Sequence, residues 1–123
     1  MIPVKVIVVD DEPTMCTLLQ ETLTNMGMEV IVAHNGHEAQ EQAKRYTFDL
    51  AFVDIVMPGV NGIEVVKALK QQQPKLKVVM MSADGRHLRE KEATLMLEGY
   101  LDKPFTIVEL KALIMWSIGS NGS

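Results

Sequence analysis

Five short apolar runs recur along the chain and alternate with longer segments in which apolar residues are spaced three or four positions apart. The runs fall at 4–9, 29–33, 50–54, 77–81 and 99–102. Short apolar runs bounded by turn residues are typical of buried strands, and the wider spacing is typical of amphipathic helices. The order is therefore β-α five times over, which predicts one α/β domain built on a parallel sheet with right-handed crossovers.

The helices carry start and stop signals of their own. Pro13 suits the first turn of the first helix, and Gly27 ends that helix. Three later helices begin with a polar cap residue and a Glu three positions on, a capping box or a variant of it. These pairs are Asn35 with Glu38, Asn61 with Glu64, and Thr106 with Glu109. The helices are predicted to end near Met26, Arg45, Gln72, Leu97 and Ile118.

Helical spacing also predicts which side chains face the core. Tyr46 after the second helix and Ile107 in the last helix are expected to point inward, whereas Cys16 is expected to lie off the inward stripe of the first helix. The last helix has more apolar residues than one buried face needs. Val108, Ala112 and Met115, with Trp116 beside them, form a second row that should be exposed, and such a row indicates a partner surface.

Composition limits the class of protein. The chain has 123 residues and a net charge of −4, from 12 basic and 16 acidic residues without a basic tract, which argues against nucleic acid or an anionic membrane as the direct partner. No apolar stretch is long enough to span a membrane, and no signal-peptide pattern precedes the first strand. With a single cysteine there is no internal disulfide, so a cytoplasmic location is expected. Residues 1–118 are predicted to form the domain, and 119–123 a flexible tail or an expression remnant.

Polar residues that can bind a ligand or take part in a reaction lie where the predicted strands end. Asp10 and Asp11 follow the first strand, Asp54 ends the third, Ser82 the fourth, and Lys103 follows the fifth. In a sheet of order 2-1-3-4-5, the flavodoxin-like arrangement, these ends share one edge and the first and third strands are neighbours. Three converging carboxylates favour a hard divalent cation, Mg²⁺ above all or Mn²⁺. A carboxylate nucleophile, a metal, a hydroxyl and a lysine are the groups that phosphoryl transfer to an aspartate needs.

At these positions the chain resembles the receiver domain of response regulators in two-component signalling. The resemblance covers about residues 4 to 118 and rests on the paired acids, the Asp54-x-x-x-Pro58-Gly59 loop, Ser82-Ala83, and Lys103-Pro104-Phe105. It implies that Asp54 accepts a phosphoryl group from a sensor histidine kinase or a phosphotransfer protein. It also implies a metal site made by Asp10, Asp11, Asp54 and the backbone carbonyl of Val56.

The resemblance assigns further roles. Ser82 would hydrogen-bond the phosphoryl group, Lys103 would pair with one of its oxygens, Tyr100 would be the switch aromatic, and the bond before Pro104 would be cis. Val56 and Asp84 would tune the lifetime of the phosphoryl group. The output face would comprise the fourth helix, the fifth strand and the last helix, and would serve a target protein or a phosphorylation-dependent homodimer.

Three other functions are alternatives to this one. A small haloacid-dehalogenase-like phosphohydrolase would use Asp10 as nucleophile, because Asp10-Asp11-Glu12-Pro13-Thr14 loosely matches its motif. An interaction module independent of phosphorylation would keep the fold and lose pocket residues. A flavin mononucleotide binder would share the fold, but the acidic turn after the first strand repels a phosphate. Paired acids that merely cap the first helix are the structural alternative for Asp10 and Asp11.

Overall fold

Seven strands and four helices make up the part of the chain that the computed structural model describes, which is residues 2–57, 60–83 and 97–122. The strands are Lys5–Val9 (β1), Glu29–Ala33 (β2), Leu50–Asp54 (β3), Val56–Met57 (β4), Val60–Asn61 (β5), Lys77–Ser82 (β6) and Gly99–Asp102 (β7). The helices are Pro13–Asn25 (α1), Gly36–Arg45 (α2), Gly62–Gln72 (α3) and Ile107–Gly122 (α4, the C-terminal helix).

Five of the strands form one parallel sheet in the order β2-β1-β3-β6-β7. Taken in chain order these five are strands 2-1-3-4-5, so the predicted α/β fold and strand order are confirmed. The two remaining strands, β4 and β5, pair antiparallel in a separate short hairpin directly after Asp54, which the apolar pattern did not predict. This hairpin lies beside the sheet edge at which the polar residues were expected to meet.

Alternate side chains of the strands enter two separate cores, as the pleat of a strand requires. Ile7, Val53 and Met80 belong to the core beneath α2 and α3, whereas Val8 and Phe52 belong to the core beneath α1 and the C-terminal helix. Because both faces are covered, the strands β1 and β3 are apolar almost throughout and are buried along their length. A rigid central sheet of this kind fixes the positions of the residues at its carboxyl edge.

Two of the predicted helix caps form with the Glu three positions on. The Glu38 amide donates to Asn35 Oδ1 at 2.8 Å, and Asn35 Nδ2 donates back to the Glu38 carboxylate at 3.2 Å. The Glu109 amide donates to Thr106 Oγ1 at 3.0 Å. Asn61 instead accepts from the amide of Ile63 at 2.9 Å, so its cap closes one residue earlier than the box pattern predicts.

Tyr46 and Cys16 correct the predicted inward stripes. Tyr46 is 41% exposed, because it follows α2 as the cap residue and its ring lies under the Lys5 ammonium, 4.6 Å from the ring centre, instead of in the core. Cys16 is buried, and with Leu19 and Leu23 it defines the inner face of α1. A small side chain fits where a helix packs closely on a sheet, and a pattern based on large apolar residues overlooks it.

The C-terminal helix departs from the prediction at both ends. Ile107 is 46% exposed although it was expected to face inward. Helical side chains lean toward the N-terminus, so the side chain of the first helical residue points past the end of the helix and not onto the sheet. At the other end the helix continues to Gly122, beyond the expected end near Ile118, since each added residue gains one backbone hydrogen bond once a helix exists.

The predicted helix over 86–97 lies almost wholly outside the described residues. Asp84 lies outside them as well. Among the helices that are described, none has the length and apolar character needed to cross a lipid bilayer.

Candidate functional site

Three carboxylates meet at the carboxyl edge of the sheet, as the sequence predicted. One oxygen from each of Asp10, Asp11 and Asp54 lies within 4.8 Å of the oxygens of the other two. Asp10 and Asp11 follow β1, and Asp54 ends β3, so the parallel pairing of β1 with β3 brings them together. Oxygen donors in this number and spacing suit a hard divalent cation that also keeps some of its water.

The peptide backbone holds two of these carboxylates in place. Asp10 is completely buried, and its Oδ1 accepts the Glu12 amide at 2.9 Å. Asp54 is buried as well, and its Oδ1 accepts the Val56 amide at 3.0 Å. One oxygen of each carboxylate is thereby tied to the loop that follows its own strand, which helps to orient the group.

The loop after Asp54 depends on Gly62, a residue that the sequence marked only as part of a turn. A Cβ atom at this position would lie 2.3 Å from the Cα of Ile55 and 2.7 Å from the backbone oxygen of Asp54. The Gly62 amide also donates to the Ile55 oxygen at 3.3 Å. Only glycine allows α3 to begin this close to the end of β3.

Lys103 connects the acids from the far side of the site. Its Nζ lies 3.0 Å from Asp10 Oδ2 and 3.2 Å from Asp54 Oδ2, and Glu12 is a more distant partner at 4.0 Å. The backbone amide of Lys103 donates to the Ser82 carbonyl at 2.7 Å, which fastens the segment after β7 to the end of β6. The peptide bond between Lys103 and Pro104 is cis, as the resemblance implied. The role of Glu12 beside Lys103 was not anticipated.

Burial and the charges of the site together shift the pKa values of Asp54 and Lys103. Burial raises the pKa of Asp54 above its ordinary 3.8, and the negative charge of Asp10 adds to that, while the Val56 amide and Lys103 act against it. Burial lowers the pKa of Lys103, but the hydrogen bond and charge of Asp10 and the charge of Asp54 outweigh it, so the net shift is upward. Lys103 is therefore a firmly protonated cation next to a carboxylate that is costly to ionise.

Cys16 lies directly behind the site. Its thiol donates to the backbone oxygen of Asp10 at 3.2 Å. Burial and the nearby negative charge of Asp10 raise the pKa of this thiol to about 11. Cys16 is thus a neutral support for the Asp10 backbone, a role that its residue type alone could not indicate.

An open cavity of about 500 Å³ gives access to the carboxylates. Its walls include Asp11, Asp54, Val56, Ala83 and Lys103. Val56 is 63% exposed at the rim. Asp10 does not line the cavity, so Asp54 is the buried carboxylate that an incoming group can reach.

Ser82 and Tyr100 occupy the neighbouring strands β6 and β7. Ser82 is buried at the end of β6, beside Asp102 in the register, and it does not line the cavity. Tyr100 lies two positions earlier on β7, opposite Met80, and is partly exposed. The roles predicted for Ser82, Tyr100 and the Val56 carbonyl remain predictions.

Two curated proteins are similar in sequence to most of this chain. The chain is 38% identical to the alkaline phosphatase synthesis transcriptional regulatory protein PhoP of Bacillus subtilis over 112 residues, 89% of this chain and 46% of that protein. It is 40% identical to the transcriptional regulatory protein CpxR of Escherichia coli over 111 residues, 89% of this chain and 47% of CpxR. The chain thus spans about half the length of the curated relatives it matches.

Solved structures and the family comparison agree. The chemotaxis protein CheY4 of Vibrio cholerae superposes with a TM-score of 0.88 at 28% identity, covering 94% of this chain and 99% of that one. The response regulator TrrA of Thermotoga maritima, solved in complex with Mg²⁺ and a beryllium fluoride, gives a TM-score of 0.81 at 32% identity, covering 93% of this chain and 98% of that one. The family described as the response regulator receiver domain matches residues 6–115. This chain therefore belongs to the response regulator receiver domain family.

Proposed function

We propose that this chain is a signalling switch in which Asp54 accepts a phosphoryl group from a sensor histidine kinase or a phosphotransfer protein. The observation that carries the proposal is the position of the Asp54 carboxylate. It lines an open cavity, lies 3.2 Å from the Lys103 ammonium, and shares an acidic cluster with Asp10 and Asp11. A nucleophile, a cation and a cation-binding cluster within one accessible cavity are what acceptance of a phosphoryl group requires.

The transfer is a displacement at phosphorus. An oxygen of Asp54 forms the new bond, the bond between phosphorus and the donor histidine nitrogen breaks, and its electron pair stays on the imidazole, which takes a proton from water. Lys103 offsets negative charge on the phosphoryl oxygens as the bond forms. The Val56 amide holds one Asp54 oxygen at 3.0 Å and so orients the carboxylate for attack.

The donor set fits Mg²⁺ or Mn²⁺. Asp10, Asp11 and Asp54 supply carboxylate oxygens within 4.8 Å of one another, and the Val56 carbonyl is the fourth protein ligand that we propose. A bound divalent cation supplies charge neutralisation for the acids and for the phosphoryl oxygens. Asp10 and Asp11 would then hold the metal, and Lys103, which pairs with Asp10 in the structure, would be free to pair with the phosphoryl group.

Signal output is assigned to the surface that adjoins β7. Ser82 would move toward the phosphoryl group, and Tyr100 would change its exposure in response. The predicted exposed row on the C-terminal helix is at the surface, with Val108, Met115 and Trp116 exposed by 77%, 67% and 61%. We propose this row as the place where a second copy or a target protein binds after phosphorylation.

Asp10 is the competing nucleophile, as in a haloacid-dehalogenase-like phosphohydrolase. Its carboxylate is completely buried, it does not line the cavity, and its two oxygens are held by the Glu12 amide and by Lys103. A donor entering the cavity meets Asp54 first, so the geometry supports the switch over the hydrolase.

The test is phosphorylation by acetyl phosphate, followed by intact mass. With Mg²⁺ we expect the wild type to gain the mass of one phosphoryl group. EDTA should prevent the gain, and Asp54→Asn should abolish it. A gain that persists in Asp54→Asn and disappears in Asp10→Asn would favour the hydrolase instead.

A further inference from the structure

A second cavity, of about 400 Å³, lies at the opposite edge of the sheet, where β1, β3 and β6 begin. Val4, Phe48 and Leu50 contribute apolar wall, and the C-terminal helix contributes Ser117. Phe48 and Leu50 are buried, so the floor of the cavity is part of the protein core. Ligand pockets in proteins commonly have this volume and are lined mainly by apolar groups with a few polar ones.

This cavity has a net positive charge, whereas the protein as a whole is acidic. Lys75 and Lys77 line it together with Asp49, which leaves one more positive than negative side chain. The whole chain has a net charge of −4, so a positive cavity is a local feature against an acidic background. Such a cavity attracts anions, whereas the acidic surface around it repels them.

The hydrogen bonds leave the positive charge available. Lys77 Nζ donates to the backbone oxygen of Ser117 at 3.0 Å, which holds the ammonium at the cavity wall. Asp49 Oδ2 accepts the backbone amide of Lys5 at 2.9 Å, so this carboxylate already has a fixed partner. Within the described ranges no carboxylate forms an ion pair with Lys75 or Lys77.

We propose that this cavity binds a small organic anion, a carboxylate or sulfonate attached to an apolar body. The apolar body would lie against Val4 and over the floor that Phe48 and Leu50 form, and the acidic group would pair with Lys77 and Lys75. Burial of the apolar part supplies most of the affinity, and the two ammonium groups select an anion over a neutral molecule of the same shape.

The site is independent of the phosphorylation site. It lies where strands begin, whereas Asp10 and Asp54 lie where β1 and β3 end. Ser117 belongs to the helix that carries the exposed row, so a molecule in the cavity would contact the C-terminal half of that helix. Occupancy can therefore be measured without any phosphoryl donor.

The test uses the full chain and anilinonaphthalene sulfonate, an apolar fluorophore with one sulfonate. Saturable binding is followed by probe fluorescence and by energy transfer from Trp116, the single tryptophan of the chain. The variants Lys77→Met and Lys75→Met each remove a charge and keep an apolar side chain. Circular dichroism shows whether each variant is folded. If Lys77→Met unfolds, the test rests on Lys75→Met, because Lys75 is exposed. Lys67→Met, on the surface of α3, is the matched control, and N-phenylnaphthylamine is the neutral counterpart of the probe.

We expect each cavity variant to weaken probe affinity about tenfold, the factor that follows from losing one charge-assisted hydrogen bond. Lys67→Met should bind as the wild type does, and the neutral probe should bind less tightly than the sulfonate. The exposed row is a second apolar surface, among the described residues, that could take the probe. Three results would overturn the proposal. The first is that Met115→Glu loses probe binding while both lysine variants keep it. The others are equal affinity for the neutral probe and the sulfonate, and the lack of saturable binding.

Discussion

The Nζ atom of Lys103 lies 3.2 Å from Oδ2 of Asp54, although 49 positions separate the two residues in the chain. The same nitrogen lies 3.0 Å from Oδ2 of Asp10, so one cation serves two buried carboxylates. In the proposed function, Asp10 and Asp54 would hold a divalent cation that neutralises them, and Lys103 would then be free to pair with the phosphoryl group. The charged groups that the proposed function requires thus lie close to Asp54 in the structure.

Asp54→Asn should raise the stability of the metal-free protein at neutral pH. Burial raises the pKa of Asp54, so the folded protein binds this proton more tightly than the unfolded chain. The group therefore lowers the free energy of unfolding as pH rises through the folded pKa. The amide of the variant still accepts from Val56, and Lys103 keeps Asp10. Thermal unfolding in EDTA should show the variant melting higher, with an advantage that shrinks as pH falls toward 3.8, the ordinary pKa of an Asp.

Glu64→Gln is the control for that comparison, because Glu64 is an exposed carboxylate in a surface pair with Lys67. Its effect should stay within about 0.5 kcal/mol across the same pH range. An Asp54→Asn variant that melts lower than the wild type at neutral pH would show that the pairing with Lys103 outweighs the cost of burial.

Gly62→Ala should cost about 2–3 kcal/mol in the free energy of unfolding, since the new methyl group has no room beside the Ile55 and Asp54 backbone. It should also slow phosphorylation, because the loop that holds the Asp54 carboxylate has to move. Urea unfolding and the acetyl phosphate assay measure the two effects. Gly27→Ala is the contrast: a Cβ there meets no atom within 4 Å, but the positive φ of 88° costs about 1–2 kcal/mol. That variant should be phosphorylated at the normal rate.

Val56→Asn should speed the loss of the phosphoryl group. Hydrolysis needs a water molecule in line with the bond between Asp54 and phosphorus, and the exposed Val56 at the cavity rim offers no hydrogen bond to hold it. We expect slow unaided dephosphorylation of the wild type and a severalfold faster rate in the variant, about 1 kcal/mol in the barrier. The decay is followed by intact mass after removal of the donor. Equal rates would mean that Val56 does not limit access of water.

Met115→Glu should weaken association through the exposed row of the C-terminal helix. Beryllium fluoride with Mg²⁺ stands in for the phosphoryl group, and we expect it to promote self-association of the wild type, measured by sedimentation. A ligand shifts such an equilibrium only by binding the active arrangement more tightly. The variant should lose this response while Asp54 is still phosphorylated, and Gln71→Glu, which adds the same charge on α3, should keep it. If beryllium fluoride changes neither the association nor the Trp116 fluorescence, the output surface lies elsewhere.

The sequence predicted the parts of the fold that depend on local periodicity. The strand Leu50–Asp54 begins with four apolar residues because both faces of the sheet are covered, and its short length and the turn residues beside it distinguish it from a helix. The sequence also predicted cap residues such as Asn35, because a cap residue and its hydrogen-bond partner lie only three positions apart. The hairpin of β4 and β5 was missed because strands of two residues have too few positions to show a period. Cys16, Tyr46 and Ile107 were misplaced because their burial depends on where a helix meets the sheet.

For the site, the sequence predicted which residues would meet and left their contacts open. Asp10, Asp11 and Asp54 were placed together by strand order alone, and the structure brings their oxygens within 4.8 Å. The approach of Glu12 to Lys103 and the packing of Cys16 behind Asp10 depend on side-chain positions that no spacing rule supplies. Gly62 looked like an ordinary turn residue, since its importance arises from the Ile55 backbone beside it.

The most direct test of the proposed acceptor is to locate the phosphoryl group in the chain. Borohydride reduces an aspartyl phosphate to homoserine, and peptide mass spectrometry then identifies the modified position. After phosphorylation with acetyl phosphate and Mg²⁺, we predict homoserine at position 54 and unmodified aspartate at positions 10 and 11. Homoserine at position 10, with position 54 unchanged, would contradict the assignment of Asp54 as the acceptor.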